Sequence, residues 1–190
     1  MGKASSGGQL RIVGGRWRSR RLPVPDAPGL RPTTDRARET LFNWLAPLIE
    51  GSRCLDCFAG SGALGLEAAS RGAAEVLLLE RSRAVCRQLE ANVAALDTDA
   101  VRVVSADALA WLRTGPPRAF DIVFIDPPFA AGLLGPACDL LARRGWVGDG
   151  SRVYLEAAAQ EGFPPLPARW DLTREKLAGG VRYGLAEVGA

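Results

Sequence analysis

The feature that most constrains the fold is an alternation of apolar strands and amphipathic helices between residues 53 and 158. Near-continuous apolar strands in such an alternation are typical of a parallel sheet that helices cover on both faces. Strands are predicted at 53–59, 75–80, 101–106, 120–126 and 151–158, with helices at 63–72, 82–96, 108–114 and 133–145. We therefore expect an α/β fold with a doubly wound, mostly parallel sheet.

The segments on either side of this alternation extend the prediction. A helix should start at Thr33 or Thr34, either of which can cap the first turn, and should end at Gly51. The C-terminal segment WDLTREKLAGGVRYGLAEV predicts two strands joined through Gly179 and Gly180, an antiparallel hairpin that completes a seven-stranded sheet. The apolar stripe of the predicted helix consists of Ala37, Leu41, Leu45 and Leu48.

Composition divides the chain into three parts. Residues 1–8 are rich in glycine and serine and are predicted to be a disordered leader. Residues 9–32 are predicted to form a short basic β-hairpin or arm, with three arginines on one face and Trp17 on the other. Residues 33–190 would then be the main domain. The three arginines are Arg16, Arg18 and Arg20.

The net charge of +3 is unevenly distributed along the chain. Residues 1–40 contain nine basic and three acidic residues, a net charge of +6, so the remainder carries −3. A basic segment of this kind favours contact with a polyanion such as nucleic acid. The alternative is a general preference for arginine, because only Lys3 and Lys176 are lysines among the 24 basic residues.

Histidine is absent, and the cysteines number four. Catalytic triads built on histidine and the zinc sets Cys2His2 and Cys3His are therefore excluded, and no metal site is predicted. Cys54 and Cys57 would point to opposite faces of one strand, so buried thiols are expected. No apolar run is long enough to span a membrane and the start lacks a secretion signal, so we expect a soluble, cytoplasmic protein.

A glycine loop follows the first strand of the alternation. Gly60-Ser-Gly62-Ala-Leu-Gly65 matches the dinucleotide-binding pattern G-x-G-x-x-G, and Glu80 supplies the acid that this pattern places at a ribose. A nicotinamide dehydrogenase is therefore one alternative. Against it, Asp56 would bring a negative charge close to a pyrophosphate, whereas a cationic or amine-bearing ligand suits that carboxylate. The tetrapeptide Asp126-Pro-Pro-Phe129 also has no evident part in hydride transfer.

These motifs together carry a resemblance to known proteins. The set resembles the S-adenosylmethionine-dependent methyltransferases that modify exocyclic amino groups of bases. Its members are D-x-F-A-G-S-G-x-L-G (56–65), Glu80, S-A-D (105–107) and D-P-P-F (126–129).

Two further blocks narrow the resemblance. RIVGGRWRSRRLPVPDAPGLRPTTDRARETLFNWL (11–45) and REKLAGGVRYGLAE (174–187) look like the bacterial RsmD family, which methylates N2 of one guanine in 16S ribosomal RNA. The resemblance covers nearly the whole chain from about residue 9, and one departure from it is the longer leader MGKASSGGQ. It implies a Rossmann-like class I methyltransferase fold, a monomer, and an assembled or partly assembled small ribosomal subunit as substrate.

The resemblance also implies roles for the residues at the strand ends. Asp56 and the backbone of residues 59–62 would surround the methionine part of S-adenosylmethionine, Glu80 would accept the ribose hydroxyls, and Asp107 with the Ala108 amide would hold the adenine. The full set of expected cofactor-binding residues is Asp56, Phe58, Ala59, Gly60, Ser61, Gly62, Glu80, Arg81, Asp107 and Ala108.

For catalysis, we expect the Asp126 side chain and the Pro127 carbonyl to accept the two N–H bonds of the target amine. Pro127 and Pro128 fix the backbone there, and Phe129 would stack on the base. The expected RNA-binding residues are Arg16, Trp17, Arg18, Arg20, Arg31, Arg36 and Arg38. Two of them have alternatives, because Arg38 could lie near the cofactor and Trp17 could pin the arm. Lys176 and Glu156 could line the substrate entrance or belong to an edge strand.

Three other functions remain open from the sequence. An adenine-N6 methyltransferase acting on DNA or RNA would present the same exocyclic amine to the tetrapeptide, although the N-terminal block argues against it. A protein-glutamine methyltransferase shares the chemistry but has no need of the basic arm. A non-catalytic RNA-binding assembly factor could retain the cofactor fold, although the intact Asp126 and Phe129 argue against that function.

Overall fold

The computed structural model describes residues 8–25 and 33–190. The predictions for most of the leader, for the end of the arm and for Arg31 lie outside the described residues. The elements in chain order are β1 (Gln9–Arg11), β2 (Arg21–Pro23), α1 (Asp35–Leu45), β3 (Arg53–Asp56), α2 (Ala63–Ser70), β4 (Glu75–Glu80), α3 (Arg83–Ala95), β5 (Val101–Ser105), α4 (Ala108–Thr114), β6 (Phe120–Ile125), a short 3-10 helix (Phe129–Ala131), α5 (Leu134–Arg143), β7 (Val147–Ala158), β8 (Trp170–Ala178) and β9 (Val181–Val188).

Seven strands form one sheet in the order β5-β4-β3-β6-β7-β9-β8. The five strands from β5 to β7 are parallel, whereas β9 pairs antiparallel with both β7 and β8. The expected mostly parallel sheet with an antiparallel C-terminal hairpin is confirmed. The chain leaves β3 towards β4 and later returns to β6 on the other side of β3, which places the topological switch point at the carboxyl ends of β3 and β6.

The sheet separates two apolar layers. Side chains of α1, α2, α3 and the β1–β2 hairpin pack with one face, and side chains of α4 and α5 pack with the other. Cys54 belongs to the first layer and Cys57 to the second, and both thiols are buried and free. Burial raises the pKa of the Cys54 thiol to about 12, so the expectation of inert thiols is supported. Within the described ranges, no helix combines the length and apolar character that crossing a membrane would require.

Helix α1 begins as expected but ends early. The Thr34 hydroxyl accepts a hydrogen bond from the Ala37 amide at 3.2 Å, which is the predicted cap. The helix stops at Leu45 and continues as a turn, so the prediction of a helix up to Gly51 is wrong. Leu48 is 42% exposed as a result, and Ile49 occupies the buried position instead.

The N-terminal residues form the expected hairpin. β1 and β2 pair antiparallel, with Leu10 opposite Leu22 and both side chains buried. The arginine segment between them is a compact turn rather than an extended strand, because Gly15 and Ser19 both adopt positive φ angles. The extended strand predicted here is therefore wrong, although Arg16, Arg18 and Arg20 are all exposed and Trp17 is buried, as the predicted separation of their faces requires. A side chain at Gly15 would collide with the Ser70 carbonyl oxygen, so this close approach requires glycine.

A buried carboxylate fixes the hairpin to the domain. The two side-chain oxygens of Glu67, in the middle of α2, accept hydrogen bonds from the backbone amides of Val13 and Gly14 at 2.8 and 2.7 Å. The same carboxylate pairs with Arg71 at 2.8 Å and with Arg38 of α1 at 3.4 Å. Arg38 in turn donates to the Arg11 carbonyl at 2.8 Å. Glu67 therefore joins the hairpin, α1 and α2 at one point.

We predict that Glu67→Gln lowers the free energy of unfolding by about 3–5 kcal/mol, because Arg38 and Arg71 lose a buried carboxylate partner and the amide nitrogen cannot accept from a hairpin amide. Urea denaturation checks this value. The matched control is Glu75→Gln, which removes a pair with Arg53 in which the carboxylate is 46% exposed, and it should cost about 0–1 kcal/mol. Equal stability losses for the two variants would contradict the role given to Glu67.

Candidate active site

Four acidic residues lie where parallel strands end. Asp56 and Glu80 are the last residues of β3 and β4, Asp107 follows β5, and Asp126 follows β6. Because these strands are parallel neighbours, their carboxyl ends share one edge of the sheet. The predicted site residues are therefore brought to the switch point, where open α/β sheets bind ligands.

The glycine loop connects this edge to α2. Gly60 and Gly62 have φ angles of 50° and 79°, and Gly62 is the residue that precedes α2. Gly62 offers no side chain to cap α2, and the Gly65 amide in the first turn donates to the Asp56 side chain instead. A side chain at Gly65 would come within 2.2 Å of the Leu78 side chain, which shows how closely α2 packs on β4. The loop also contains Ala59 and Ser61, both buried, and the partly buried Phe58.

Asp56 lies beneath this loop and is 1% exposed. Its Oδ2 accepts a hydrogen bond from the Gly65 amide at 3.1 Å, whereas its Oδ1 is buried and has no hydrogen-bond partner among the described residues. Burial raises the pKa of Asp56 to about 7, and the nearby Asp126 carboxylate contributes to the increase. A cationic group with N–H donors would satisfy the free oxygen and favour the charged carboxylate.

Glu80 is held in place from two sides. Its Oε2 accepts from the Gly60 amide at 3.1 Å and its Oε1 accepts from the Ser82 amide at 2.7 Å. Each carboxylate oxygen has more than one acceptor position, so a pair of hydroxyl groups can still bind there. Arg81, next in the chain, is exposed.

Asp107 begins the neighbouring helix. It caps α4 by accepting from the Ala110 amide at 2.9 Å through Oδ1, and its side chain is otherwise exposed. Ala108 is buried directly beside it. Since only one of the two carboxylate oxygens serves as the cap, the other is available to an amino group of a ligand.

Asp126 belongs to a second carboxylate cluster. The Thr33 hydroxyl lies 3.4 Å from Oδ2 of Asp126 and 3.4 Å from Oε2 of Glu156, a 4% exposed residue of β7. Burial and the neighbouring charge of Glu156 raise the pKa of Asp126 well above its usual range. Burial also raises the pKa of Glu156. Hydrogen bonds with Asp126, Thr33 and Tyr154 lower this pKa but do not cancel the effect of burial.

The rest of the tetrapeptide shapes the neighbouring surface. Pro127 is buried, Pro128 has a φ angle of −55° and precedes the short 3-10 helix, and Phe129 is partly buried. A pocket of about 360 Å³ opens beside this turn. Its walls include Pro127, Phe129, Glu156, Phe163 and Pro164.

Sequence reasoning missed part of this cluster. The sequence predicts Thr33 only as a possible helix cap, and it predicts for Glu156 either a place at the substrate entrance or one in an edge strand. The available signal was an acidic residue inside an otherwise apolar strand, YLEAA, because a charge in a buried strand needs a partner or a function. Thr33 is distant in sequence and carried no comparable signal.

The predicted RNA-binding residues are placed differently from one another. The Arg16 guanidinium stacks on the Trp17 ring at 4.1 Å and donates a hydrogen bond to Thr98. Arg20 donates to the Ala95 carbonyl. Arg18 and Arg36 are exposed. Trp17 is only 7% exposed, so it pins the arm rather than offering a stacking surface.

The phosphate contact predicted for Arg38 is not supported. Its guanidinium is 1% exposed, because it is enclosed between Glu67 and Asp35. The alternative role near the cofactor is not supported either, since these partners belong to the hairpin anchor and not to the glycine loop.

Comparison with known structures supports the fold. The solved structure of a candidate methyltransferase of Escherichia coli, yhhF, matches with a TM-score of 0.90 and 52% identity, covering 96% of this chain and 99% of that one. A Rossmann-like sheet with this carboxyl edge and an Asp-Pro-Pro-Phe turn defines the class: the chain is a methyltransferase. A family model described as conserved hypothetical protein 95 matches residues 10–187. The chain belongs to this family, the RsmD family.

Named relatives cover almost the whole chain. The ribosomal RNA small subunit methyltransferase D of Escherichia coli strain K12 is 56% identical over 182 residues, which are 95% of this chain and 91% of the relative. The protein of the same name from Haemophilus influenzae is 43% identical over 183 residues, covering 94% of this chain and 93% of the relative.

The raised pKa of Asp56 predicts a pH-dependent stability. Between its ordinary value of 3.8 and about 7, the folded protein binds the Asp56 proton more tightly than the unfolded chain does, so stability falls as pH rises through this range. Asp56→Asn removes the effect and keeps an acceptor for the Gly65 amide. We expect this variant to be more stable than the wild type at pH 8, by about 1–3 kcal/mol, with the difference shrinking towards pH 5.

Urea denaturation of both proteins at pH 5, 6, 7 and 8 without added cofactor checks this expectation. Asp99→Asn, the same substitution at an exposed loop position, is the control and should leave the pH dependence unchanged. A constant difference between Asp56→Asn and the wild type at all four pH values would rule out titration of Asp56 near pH 7.

Proposed function

We propose that this methyltransferase transfers a methyl group from S-adenosylmethionine to the exocyclic N2 amine of a guanine in 16S ribosomal RNA. The observation that carries the proposal is the buried, unpartnered Asp56 oxygen next to the Asp126 cluster at one sheet edge. The names of the relatives support a small-subunit ribosomal RNA substrate. We further propose that it acts as a cytoplasmic monomer on an assembled or partly assembled small subunit.

The residues at the glycine loop fit this cofactor. Its methionine part carries an ammonium group, which provides the cationic donors that the free Oδ1 of Asp56 lacks. Glu80 would accept the ribose hydroxyls, and Asp107 with the Ala108 amide would hold the adenine amino group. When bound, S-adenosylmethionine supplies a methyl group on a positively charged sulfur, already activated for transfer.

The protein's main chemical task is then to present the nucleophile. The lone pair of a guanine N2 is delocalised into the ring, so the free amine is a poor nucleophile. Asp126 and the Pro127 carbonyl would accept its two N–H bonds and draw the nitrogen towards tetrahedral geometry. Because proline fixes φ at Pro127 and Pro128, the direction of the carbonyl is set before the base arrives.

Asp126 is also suited to take the proton that the amine loses. Its pKa is raised by burial and by Glu156, so its carboxylate is a stronger base than an exposed aspartate. Phe129 lines the pocket next to Pro127, where stacking on the extruded base would contribute about 1–3 kcal/mol.

We propose that the RNA also contacts the hairpin turn, residues 12–20 between β1 and β2, at a distance from the base that is methylated. The backbone of Arg16 bonds to Ser70, the last residue of α2, whereas the glycine loop precedes the first residue of this helix. The turn and the loop are therefore separated by the length of α2, about 12 Å for eight residues. Arg18 and its neighbours would hold phosphates at this distance from the target base.

The first test uses methyl-labelled S-adenosylmethionine and small ribosomal subunits from a strain that lacks the enzyme, followed by nucleoside analysis. We expect label in N2-methylguanosine at one site. Label in N6-methyladenosine would replace the proposed substrate with adenine. Cofactor binding without any label would favour a non-catalytic assembly factor.

We expect Asp126→Asn to reduce the methylation rate by about 100-fold or more, because the amide cannot take the proton, while affinity for S-adenosylmethionine is retained. The substitution relieves the repulsion between two buried carboxyl groups, and the new amide can still donate a hydrogen bond to Glu156, so the fold should not be weakened. Single-turnover methylation and calorimetric cofactor titration provide the two readouts. The control is Asp139→Asn on the exposed side of α5. An unchanged rate for Asp126→Asn would refute the proposed mechanism.

Charge reversal in the hairpin turn tests the RNA contact separately. Arg18→Glu should weaken binding to the small subunit and reduce the slope of log affinity against log salt by about 1, without affecting cofactor affinity. Filter binding at several salt concentrations measures both quantities. Arg113→Glu, at an exposed position on α4 in the opposite layer, should change neither. Equal effects of the two charge reversals would show that the arm contributes only non-specific electrostatic attraction and no particular RNA contact.

A further inference from the structure

The pocket beside the Asp-Pro-Pro-Phe turn is apolar but is bordered by a buried acidic residue. It is about 360 Å³ in volume and mostly apolar, formed by proline, phenylalanine, leucine and glycine, and the buried acidic residue Glu156 also borders it. Glu156 is 4% exposed, and none of the ion pairs among the described residues includes it. A buried carboxylate without a cation costs several kcal/mol. The neighbouring strand residues offer no cation, because Leu155, Ala157 and Ala158 are apolar and the buried Tyr154 contributes only a neutral phenol.

The sheet sets the spacing between Glu156 and Asp126. β6 and β7 run parallel with Ile125 opposite Leu155, so Asp126 and Glu156 occupy the next equivalent positions. Neighbouring strands lie about 4.8 Å apart, and residues at the same level of parallel strands point to the same side. The Thr33 hydroxyl, 3.4 Å from an oxygen of each carboxyl group, confirms that the two side chains converge.

The cluster is short of hydrogen-bond donors. A threonine hydroxyl has one proton and can donate to only one carboxyl group at a time. Two carboxyl groups with four oxygens therefore share that proton, the single proton of the Tyr154 phenol and whichever proton they retain between them. A ligand that fits here must bring several N–H donors side by side.

We propose that Glu156 is the residue that selects guanine, by accepting the hydrogen bond of its N1–H while Asp126 and Pro127 hold the adjacent N2 amine. This inference rests on the proposed function and specifies the base that the site accepts. Guanine presents N1–H and the N2 amine as neighbouring donors, which match the two neighbouring carboxyl groups. Adenine presents an acceptor, N1, beside its amine, so its lone pair would face the Glu156 carboxylate.

The test separates the N1–H contact from the amine. Small subunits are reconstituted with 16S RNA that carries either guanine or 2,6-diaminopurine at the position that the wild type methylates. Diaminopurine keeps the N2 amine but has a lone pair at N1. We expect the wild type to favour guanine in kcat/KM by about 10-fold or more.

Glu156→Gln should reduce this preference to within about threefold, because an amide can either accept from N1–H or donate to N1. Its cofactor affinity should equal that of the wild type. The matched control is Glu161→Gln, which removes the same charge from an exposed residue at the same pocket and should keep the full preference. Glu156→Asp retains a carboxylate and should also favour guanine, at a lower rate.

The outcomes distinguish this inference from the function on which it rests. A wild type that methylates no guanine would refute the proposed function. A wild type that methylates both bases equally, or a Glu156→Gln variant with the full wild-type preference, would overturn the role of Glu156 alone. If Glu156→Gln fails to bind cofactor, Glu156→Asp decides: loss of the guanine preference in that variant overturns the proposal.

Discussion

The position of the N-terminal hairpin depends on one buried carboxylate. Glu67 is fully enclosed in α2, where an unpaired charge would cost several kcal/mol. Two backbone amides of the hairpin and two guanidinium groups, from Arg38 and Arg71, satisfy it. Because the amides come from the backbone, they hold the chain path itself and not merely a side chain. The basic turn is thereby fixed relative to the helix that follows the glycine loop.

The carboxyl groups at the proposed catalytic edge of the sheet, unlike Glu67, lack a full set of hydrogen-bond donors. Asp56 has a buried oxygen without a donor, and Asp126 and Glu156 share one threonine hydroxyl between them. Burial raises the pKa of all three groups. The same chain thus contains a buried carboxylate that its own donors satisfy fully and three carboxyl groups that they satisfy only in part. Burying these three carboxyl groups costs free energy, which is recovered when ligands with suitable hydrogen-bond donors bind.

Much of the fold could be predicted because its causes are local. Periodicity located the strands and helices from residue 53 onward, and the rule that ligands bind at the carboxyl edge of a parallel sheet located Asp56, Glu80 and Asp126. Their individual roles as ligands of cofactor and base stay predictions. The errors arose where distant residues decide the outcome. Arg38 is an ordinary arginine in its helix pattern, and its burial depends on partners that include Glu67, 29 residues away, and the Arg11 carbonyl of the hairpin.

The separation of the hairpin turn from the glycine loop by the full length of α2 has a consequence for substrate choice. An enzyme that holds its substrate at two rigidly spaced points gains from the second contact only when the substrate already keeps both partners at that spacing. A folded ribonucleoprotein surface does so, and the second contact then forms at high effective concentration. A short flexible RNA would engage one point at a time and gain little avidity. Geometry alone can therefore make such an enzyme sensitive to the state of assembly of its target.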